Sequence, residues 1–120
     1  MRRRVLVTGG AGFVGSNLVS SLLADKFDVT VFDAFLRLGN QDNVAWLRQH
    51  RESSHLRILV DDIRDFTAVQ AAVADADTIF HLAGQVAVTS SVTDPRTDFD
   101  INAVGTFNVL EGAKIGRAHV

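Results

Sequence analysis

The chain contains no cysteine and no tyrosine. The first absence excludes a disulfide framework and a thiolate metal site, and it suits a reducing cytoplasm. The four histidines, His50, His55, His81 and His119, show no paired spacing with acids, so a metal site is not expected. The second absence removes the phenol group that one large class of nucleotide-dependent enzymes uses for proton transfer.

Long apolar runs and a strong charge of one sign are also missing. The apolar run Val5–Thr8 before the first glycines is too short for a signal peptide or a membrane span. The net charge is −2, and the basic triplet Arg2–Arg4 is read as an exposed start rather than a nucleic-acid arm. A chain of 120 residues with 47% apolar and 22% charged residues indicates one soluble globular domain.

Four short apolar runs rich in β-branched residues alternate with segments of helical period. The predicted strands are Arg4–Thr8, Asp28–Phe32, Leu56–Val60 and Thr78–Leu82. The alternation βαβαβαβα predicts an α/β fold, a doubly wound parallel sheet of the Rossmann type with strand order 3-2-1-4. A flavodoxin-like order is the alternative, and the glycine turn after the first strand disfavours it.

Each predicted helix has an apolar face, and two have a start signal. Asp65 is a plausible N-cap for the third helix, and Asp94 with Pro95 starts the fourth; the second is predicted at Asp42–Glu52. The faces are Val14, Leu18, Val19, Leu22 and Leu23 in the first helix, Val44 and Leu47 in the second, Phe66, Val69, Ala72, Val73 and Ala76 in the third, and Phe99, Val104, Phe107 and Leu110 in the fourth.

The glycine turn after the first strand has the spacing of a dinucleotide-binding turn. The segment TGGAGFVG can be parsed as G-x-x-G-x-x-G, through Gly9, Gly12 and Gly15, or as G-x-G-x-x-G, starting from Gly10. In both, a turn without side chains lets the backbone approach a pyrophosphate at the positive end of the next helix. The last glycine lets that helix pack close to the strand.

An acid follows the second strand at the distance expected for a ribose ligand. Asp33 lies 18 residues after Gly15, and its carboxylate would accept hydrogen bonds from the adenosine ribose. The same charge would repel a 2′-phosphate, which favours NAD over NADP. Arg37 lies nearby and has two interpretations: its guanidinium could pair with a 2′-phosphate, which would favour NADP, or it is a solvated loop residue.

Two further segments end the third and fourth strands, on the same rim of the sheet as the glycine turn. In Asp61–Asp65, Asp62 either solvates and caps the loop or accepts a hydrogen bond from the adenine amino group, with Ile63 against the ring. His81 begins the segment HLAGQ and is read as a packed core histidine rather than a base.

These motifs, with the later DFDINAVGT, resemble the extended short-chain dehydrogenases, in particular the nucleotide-sugar epimerases and dehydratases. FDAFLRLGNQDNVAWL and HLAGQVAVTSSVTDP are most similar to the CDP-paratose (CDP-tyvelose) 2-epimerase branch. The resemblance runs from Val5 to about Lys114. It implies binding of NAD by the cofactor-site residues Gly9, Gly12, Phe13, Val14, Gly15, Asp33, Asp62, Ile63, Leu82, Ala83, Gly84, Gln85 and Asn102.

The resemblance also implies a substrate and a reaction. The substrate would be a nucleotide sugar, with a CDP-sugar favoured, approached by Ser90 and Ser91, and the whole enzyme would be a cytoplasmic homodimer. Such an epimerase passes through a transient keto sugar by reversible hydride transfer to NAD. Ala34 and Leu36 stand where relatives often carry Asn and Ser, which departs from the family pattern on the adenosine side. A dehydratase, a reductase or a non-catalytic NAD sensor are the alternatives.

The catalytic Tyr and Lys of the family motif Y-x-x-x-K are absent from this chain, so the chain alone is expected to be inactive. The last six residues, Ile115–Val120, lose the helical apolar face and match one reading frame of a common sequencing adapter. We therefore expect a partial N-terminal NAD-binding domain at 1–114 and a non-native tail at 115–120. A natural C-terminal tail is the alternative.

Overall fold

Four parallel strands form one sheet in the order β3-β2-β1-β4, which confirms the predicted Rossmann-type topology. The computed structural model describes residues 2–84, 92–116 and 118–120. The strands are β1 (Arg4–Thr8), β2 (Asp28–Asp33), β3 (Leu56–Val60) and β4 (Thr78–His81). The second strand is one residue longer than predicted and the fourth is one residue shorter.

Helices connect the strands. The two predicted N-caps are confirmed, and the bounds of the second helix differ from the prediction. The helices are α1 (Phe13–Ala24), α2 (Asn40–Arg48), α3 (Phe66–Val73), α4 (Pro95–Phe99) and α5 (Gly105–Gly116), with a 3-10 turn at Ser53–His55. Asp65 caps α3 by accepting from Ala68 N, and Asp94 caps α4 by accepting from Thr97 N. The second helix begins and ends earlier than the predicted Asp42–Glu52. Among the described residues, no helix is long and apolar enough to cross a membrane.

The core has two halves, one on each face of the sheet. Successive residues of β1 point to opposite faces, so Leu6 packs with α3 and α5 while Val5 and Val7 pack with α1 and α2. Burial of one such Val or Leu side chain contributes about 1.5–3 kcal/mol. Both faces of the sheet are covered, and ligands of such sheets bind at the rim beyond the carboxyl ends of the strands.

The predicted apolar face of the fourth helix is wrong. Phe99, Phe107 and Leu110 are 62%, 63% and 53% exposed, whereas Val109 is buried. A π-helical turn at Asp100–Val104 separates α4 from α5, and its extra residue rotates the face that follows. Small residues then face inward, and the close approach of Gly105 to Ile63 in the β3–α3 loop leaves no room for a side chain. The apolar residues of the sequence therefore indicated the wrong face of this helix, because the shape of the contact decides which face is buried.

Residues 118–120 lie along the outer side of β4. His119 forms a parallel bridge with Thr78, its carbonyl oxygen accepts from Ile79 N at 2.6 Å, and its own N–H donates to Asp77 O at 3.1 Å. These bonds pair backbone groups at the edge of β4. The boundary expected near Lys114 stays a prediction.

Two glycines of α5 offer a matched test of the packing. A Cβ on Gly105 would lie 2.6 Å from Ile63 Cγ2, whereas a Cβ on Gly112 would meet Val73 Cγ2 at 3.6 Å, an ordinary contact. Both replacements by alanine gain about 1 kcal/mol of helix propensity. We expect Gly112→Ala to raise the free energy of unfolding in urea, and Gly105→Ala to be less stable than Gly112→Ala by about 1–3 kcal/mol, the usual cost of overpacking. Equal stability of the two variants would show that the contact between α5 and Ile63 is not close.

Candidate functional site

A pocket of about 560 Å³ lies at the rim formed by the carboxyl ends of the strands. Its volume is in the range of sites that hold cofactors and drug-sized ligands. The sequence placed the candidate site at this rim, and the pocket brings most of the predicted residues together. The predicted residues that line it are Gly9, Gly12, Phe13, Val14, Gly15, Asp33, Asp62, Ile63, Leu82, Ala83 and Gly84. Gln85, Ser90 and Ser91 lie outside the described residues.

Two glycines of the turn sit where a side chain would not fit. Gly9 has φ +71°, and a Cβ there would lie 2.8 Å from Ala83 N and from the carbonyl carbon of Leu82. A Cβ on Gly15 would overlap the carbonyl oxygen of Gly9. Gly9 therefore makes the tight turn and the close contact with the segment after β4, while Gly15 lets α1 start against the turn.

The sequence left two parses of the turn open, and the geometry gives the two candidate first glycines different roles. Gly9 has the positive φ. Gly10 instead faces the Val31 side chain, whose methyl carbons would lie 2.9 Å from an added Cβ. The parse through Gly9, Gly12 and Gly15 therefore describes the backbone of the turn, and Gly10 is required by packing on β2.

The first turn of α1 presents backbone N–H groups to the pocket. Gly12 is the N-cap in an extended conformation, and among the described residues no side chain caps it. That first turn contains no acidic residue. Free N–H groups and the positive end of a helix favour an anion, although the helix dipole contributes only about 0.3–2 kcal/mol. The glycine turn and the uncapped start of α1 therefore fit a pyrophosphate. Most of the affinity must come from shape and several hydrogen bonds, in addition to the helix dipole.

The carboxylate of Asp33 is held at the end of β2 by two backbone amides. Oδ2 accepts from Ala11 N at 3.0 Å, and Oδ1 accepts from Phe35 N at 2.8 Å. Each oxygen of an ionised carboxylate can accept more than one hydrogen bond. Asp33 therefore keeps acceptor capacity for two ribose hydroxyls, in an orientation that the protein fixes.

The β3–α3 loop is arranged differently from the simplest expectation. The Asp62 carboxylate accepts from Arg64 Nε at 2.9 Å and from Arg64 Nη2 at 2.6 Å, and these hydrogen bonds lower the pKa of Asp62. An adenine amino group would have to share that carboxylate with the guanidinium. The Ile63 side chain is only 6% exposed and packs against Gly105, so little of it is free for an adenine ring.

Asn108, on α5, anchors the same loop. Its side chain is buried, and Nδ2 donates to the carbonyl oxygens of Ile63 and Arg64, each at 3.1 Å. This residue belongs to none of the motifs that the sequence pattern indicated. The available signal was an amide side chain within a buried helix face, which needs a partner because an unpaired buried amide is costly.

Thr8 and His81 join the ends of β1 and β4. Thr8 Oγ1 lies 2.7 Å from His81 Nδ1 and accepts from Leu82 N at 3.0 Å and Ala83 N at 3.2 Å. Since the hydroxyl oxygen accepts both amides, its proton is available to donate to Nδ1. The segment after β4 is thereby held against the glycine turn.

The other nitrogen of His81 reaches α5. His81 Nε2 lies 3.0 Å from Thr106 Oγ1, and that hydroxyl donates to Asn102 O at 2.6 Å. Nε2 must therefore carry the proton and donate, which assigns a neutral imidazole to His81. Burial lowers the pKa of His81, in agreement with that form. His81 is half-buried at the end of β4 rather than part of the core, and its hydrogen bonds at both nitrogens give it a role that sequence reasoning missed.

Asn102 lies in the π-helical turn, beside the pocket rather than among its lining residues. Its Oδ1 would lie 3.0 Å from a Cβ added to Gly84, and its Nδ2 faces Asp98 Oδ2 at 3.4 Å. π turns recur at functional sites. The geometry therefore brings Asn102 next to the segment that was expected to lead to the nicotinamide.

Arg37 crosses the pocket. Its Nη2 donates to Gly84 O at 3.1 Å. The sequence left open whether this residue pairs with a 2′-phosphate or is solvated in a loop. In the structure its guanidinium joins the loop after β2 to the segment after β4.

Comparison with known proteins agrees with this geometry. The family model described as GDP-mannose 4,6 dehydratase matches residues 6–119. CDP-paratose 2-epimerase of Salmonella typhi is 42% identical over 113 residues, which cover 92% of this chain and 32% of that protein. The resemblance to nucleotide-sugar epimerases and dehydratases is thus confirmed. The chain spans about a third of the length of the curated relatives it matches.

Solved structures show the same architecture. The dTDP-glucose 4,6-dehydratase DesIV of Streptomyces venezuelae, with NAD and TYD bound, has a TM-score of 0.84 and 32% identity, over 96% of this chain and 37% of that chain. The UDP-glucose 4-epimerase of Thermus thermophilus, in complex with NAD, has a TM-score of 0.80 and 37% identity, over 96% of this chain and 35% of that chain.

The His81 network predicts a pH dependence of stability. Because the pKa of His81 in the folded protein is below the ordinary value of 6.5, the unfolded chain binds more protons as the pH falls through that value. We expect the free energy of unfolding in urea to decrease from about pH 7.5 to about pH 5.5, and His81→Gln to flatten that slope.

The unsubstituted chain, measured over the same pH range, is the reference for this slope, because His81→Gln removes no other titratable group. If His81→Gln and the unsubstituted chain lose stability in parallel as the pH falls, the assignment of a neutral imidazole to His81 is wrong.

Proposed function

The chain belongs to the GDP-mannose 4,6-dehydratase family, and on that premise we propose that it is the NAD-binding part of a nucleotide-sugar epimerase. One observation carries the proposal. The uncapped start of α1 and the pinned carboxylate of Asp33 line the same pocket, so one face would take a pyrophosphate and the other a ribose. NAD in the two solved relatives described above supports this choice of cofactor.

The proposed binding set follows the pocket from one side to the other. The glycine turn would hold the pyrophosphate, Asp33 the adenosine ribose, and the loop carrying Asp62 and Ile63 the adenine. The segment after β4 would lead to the nicotinamide, with Gln85 and Asn102 beyond it. The full set is Gly9, Gly12, Phe13, Val14, Gly15, Asp33, Asp62, Ile63, Leu82, Ala83, Gly84, Gln85 and Asn102.

When bound, NAD would supply reversible hydride acceptance. The sugar would be oxidised at one carbon to a ketone and then reduced from the opposite face, which inverts the configuration at that carbon. The residues of this chain would bind and orient the cofactor. A tyrosine base is absent from the 120 residues, so we propose that proton transfer requires residues outside them. A CDP-sugar is the favoured substrate because of the 42% identity to CDP-paratose 2-epimerase. The exposed Phe99, Phe107 and Leu110 would be covered in a homodimer of the whole protein.

A dehydratase is a close alternative, since the family model and a relative that is 34% identical carry that name. A reductase of the same family would need the same cofactor pocket. A non-catalytic module that senses NAD is an alternative of a different class, and such a module would need no tyrosine base. Sensor and enzyme differ in one feature, the presence of a Y-x-x-x-K pair in the whole protein.

Cofactor choice can be tested on the chain itself. We expect calorimetric titration to give tighter binding of NAD than of NADP, because the Asp33 carboxylate repels a 2′-phosphate. Asp33→Asn should weaken NAD binding roughly ten- to a hundredfold, since hydrogen bonds to a charged group contribute about 1.5–3 kcal/mol. The same substitution should reduce the difference in affinity between NAD and NADP.

Asp42→Asn, which removes an exposed acid from the first turn of α2, is the control for charge alone and should bind NAD as the unsubstituted chain does. Equal affinity for NAD and NADP in the unsubstituted chain would contradict the role given to Asp33.

The enzyme proposal can be tested by reading the native coding sequence downstream of Lys114. We expect this sequence to encode a Y-x-x-x-K pair. We also expect the longer protein to epimerise a CDP-sugar without net consumption of NAD, measured by chromatography of the sugars. The 120-residue chain should show no turnover under the same conditions. A longer protein that binds NAD but carries no such pair and converts no nucleotide sugar would favour the sensor.

A further inference from the structure

Ala11, at the centre of the glycine turn, is held by side chains at both of its backbone polar atoms, which belong to the two peptide groups that flank its Cα. Its N–H donates to Asp33 Oδ2 at 3.0 Å. Its carbonyl oxygen accepts from Asn40 Nδ2 at 2.9 Å and from Asn43 Nδ2 at 2.7 Å. A carbonyl oxygen has two lone pairs, so two amide donors fill its capacity.

The two asparagines are well placed to hold that carbonyl rigidly. Asn40 is the first residue of α2 and Asn43 lies one turn later, so both side chains leave the same side of the helix. The helix is itself fixed, because Val44 and Leu47 are 6% and 1% exposed in the core. Asn40 is also buried, and its Oδ1 accepts from Arg37 N at 2.9 Å, which ties the loop after β2 to the same point.

The glycine turn benefits from such an external support. Glycine has more backbone freedom than any other residue, so fixing a turn that contains Gly9, Gly10 and Gly12 costs more conformational entropy. A site that is ordered before its ligand arrives does not pay that cost on binding. The carbonyl oxygen of Ala11 and the N–H of Gly12, the N-cap of α1, belong to one peptide group, and that N–H donates to Gly9 O at 3.1 Å, so holding this carbonyl holds the peptide that leads into α1.

We propose that Asn40 and Asn43, the asparagine clamp, are positioning residues that keep the glycine turn in the conformation that binds a pyrophosphate. The inference rests on the proposed function in one respect, the identity of the ligand. The clamp itself exists without a ligand, so its effect on the turn is measurable in the free chain.

Asn43 gives the sharper test. Removal of the buried Asn40 would also leave Arg37 N without its acceptor, which mixes two effects. Asn43→Leu keeps the size of the side chain and removes the donor to Ala11 without adding a charge. Gln41→Leu, an exposed position on the same helix, is the matched control. Asn43→Ser, whose hydroxyl is too short to take over the bond, serves if the leucine variant does not fold.

The first measurement is amide hydrogen exchange of the ligand-free chain by NMR. We expect the amides of Ala11 and Gly12 to exchange roughly three- to tenfold faster in Asn43→Leu, the effect of one lost hydrogen bond, and to be unchanged in Gln41→Leu. Unchanged exchange at both amides would overturn the clamp. A residue that only touches the ligand would not alter the free state.

The second measurement compares ADP, which carries a pyrophosphate, with adenosine, which does not. We expect Asn43→Leu to bind ADP roughly three- to tenfold more weakly and adenosine as before. Equal weakening of both ligands, or of neither, would overturn the positioning role. If the unsubstituted chain binds neither NAD nor ADP, the proposed function fails, whereas the exchange measurement still decides whether the clamp holds the turn.

Discussion

The close contact between the start of α1 and the glycine turn is the constraint on which the rest of the site depends. Gly15 has no Cβ, so the helix can begin against the carbonyl of Gly9, and Gly9 in turn lies against the backbone after β4. Any side chain at these positions would separate the helix from the strand ends. The uncapped amides of α1 face a pocket rather than solvent because this contact is possible.

Side-chain hydrogen bonds then fix the loops around that contact. Thr8 and His81 tie the segment after β4 to β1, and Thr106 extends the connection to the π-helical turn. On the other side, Asp33 and the asparagine clamp tie β2 and α2 to Ala11. The described segments after β1, β2 and β4 are therefore held by neighbouring elements before a ligand binds, which lowers the ordering cost of binding.

The sequence predicts the strands, their order and most of the pocket because these features depend on local patterns: buried β-branched runs, glycine spacing, and an acid at a fixed distance. It fails where packing shape decides. The π-helical turn shifts the helix face that follows it, and the inward positions of Gly105 and Val109 depend on contacts with Ile63 and the core, which no sequence period reveals. The partners of Asn40, Asn43 and Asn108 lie far along the chain, so their roles also need the tertiary structure.

Chemical-shift mapping by NMR during titration with NAD tests the proposed cofactor site most directly. If the glycine turn and its neighbours form that site, the largest changes will occur at the amides of residues 9–15, at the end of β2, and at residues 61–63 and 82–84. Changes concentrated elsewhere, such as the shallow groove beside Trp46 and His50, would contradict the assignment of the pocket. Saturating NAD without any change at residues 9–15 would do the same.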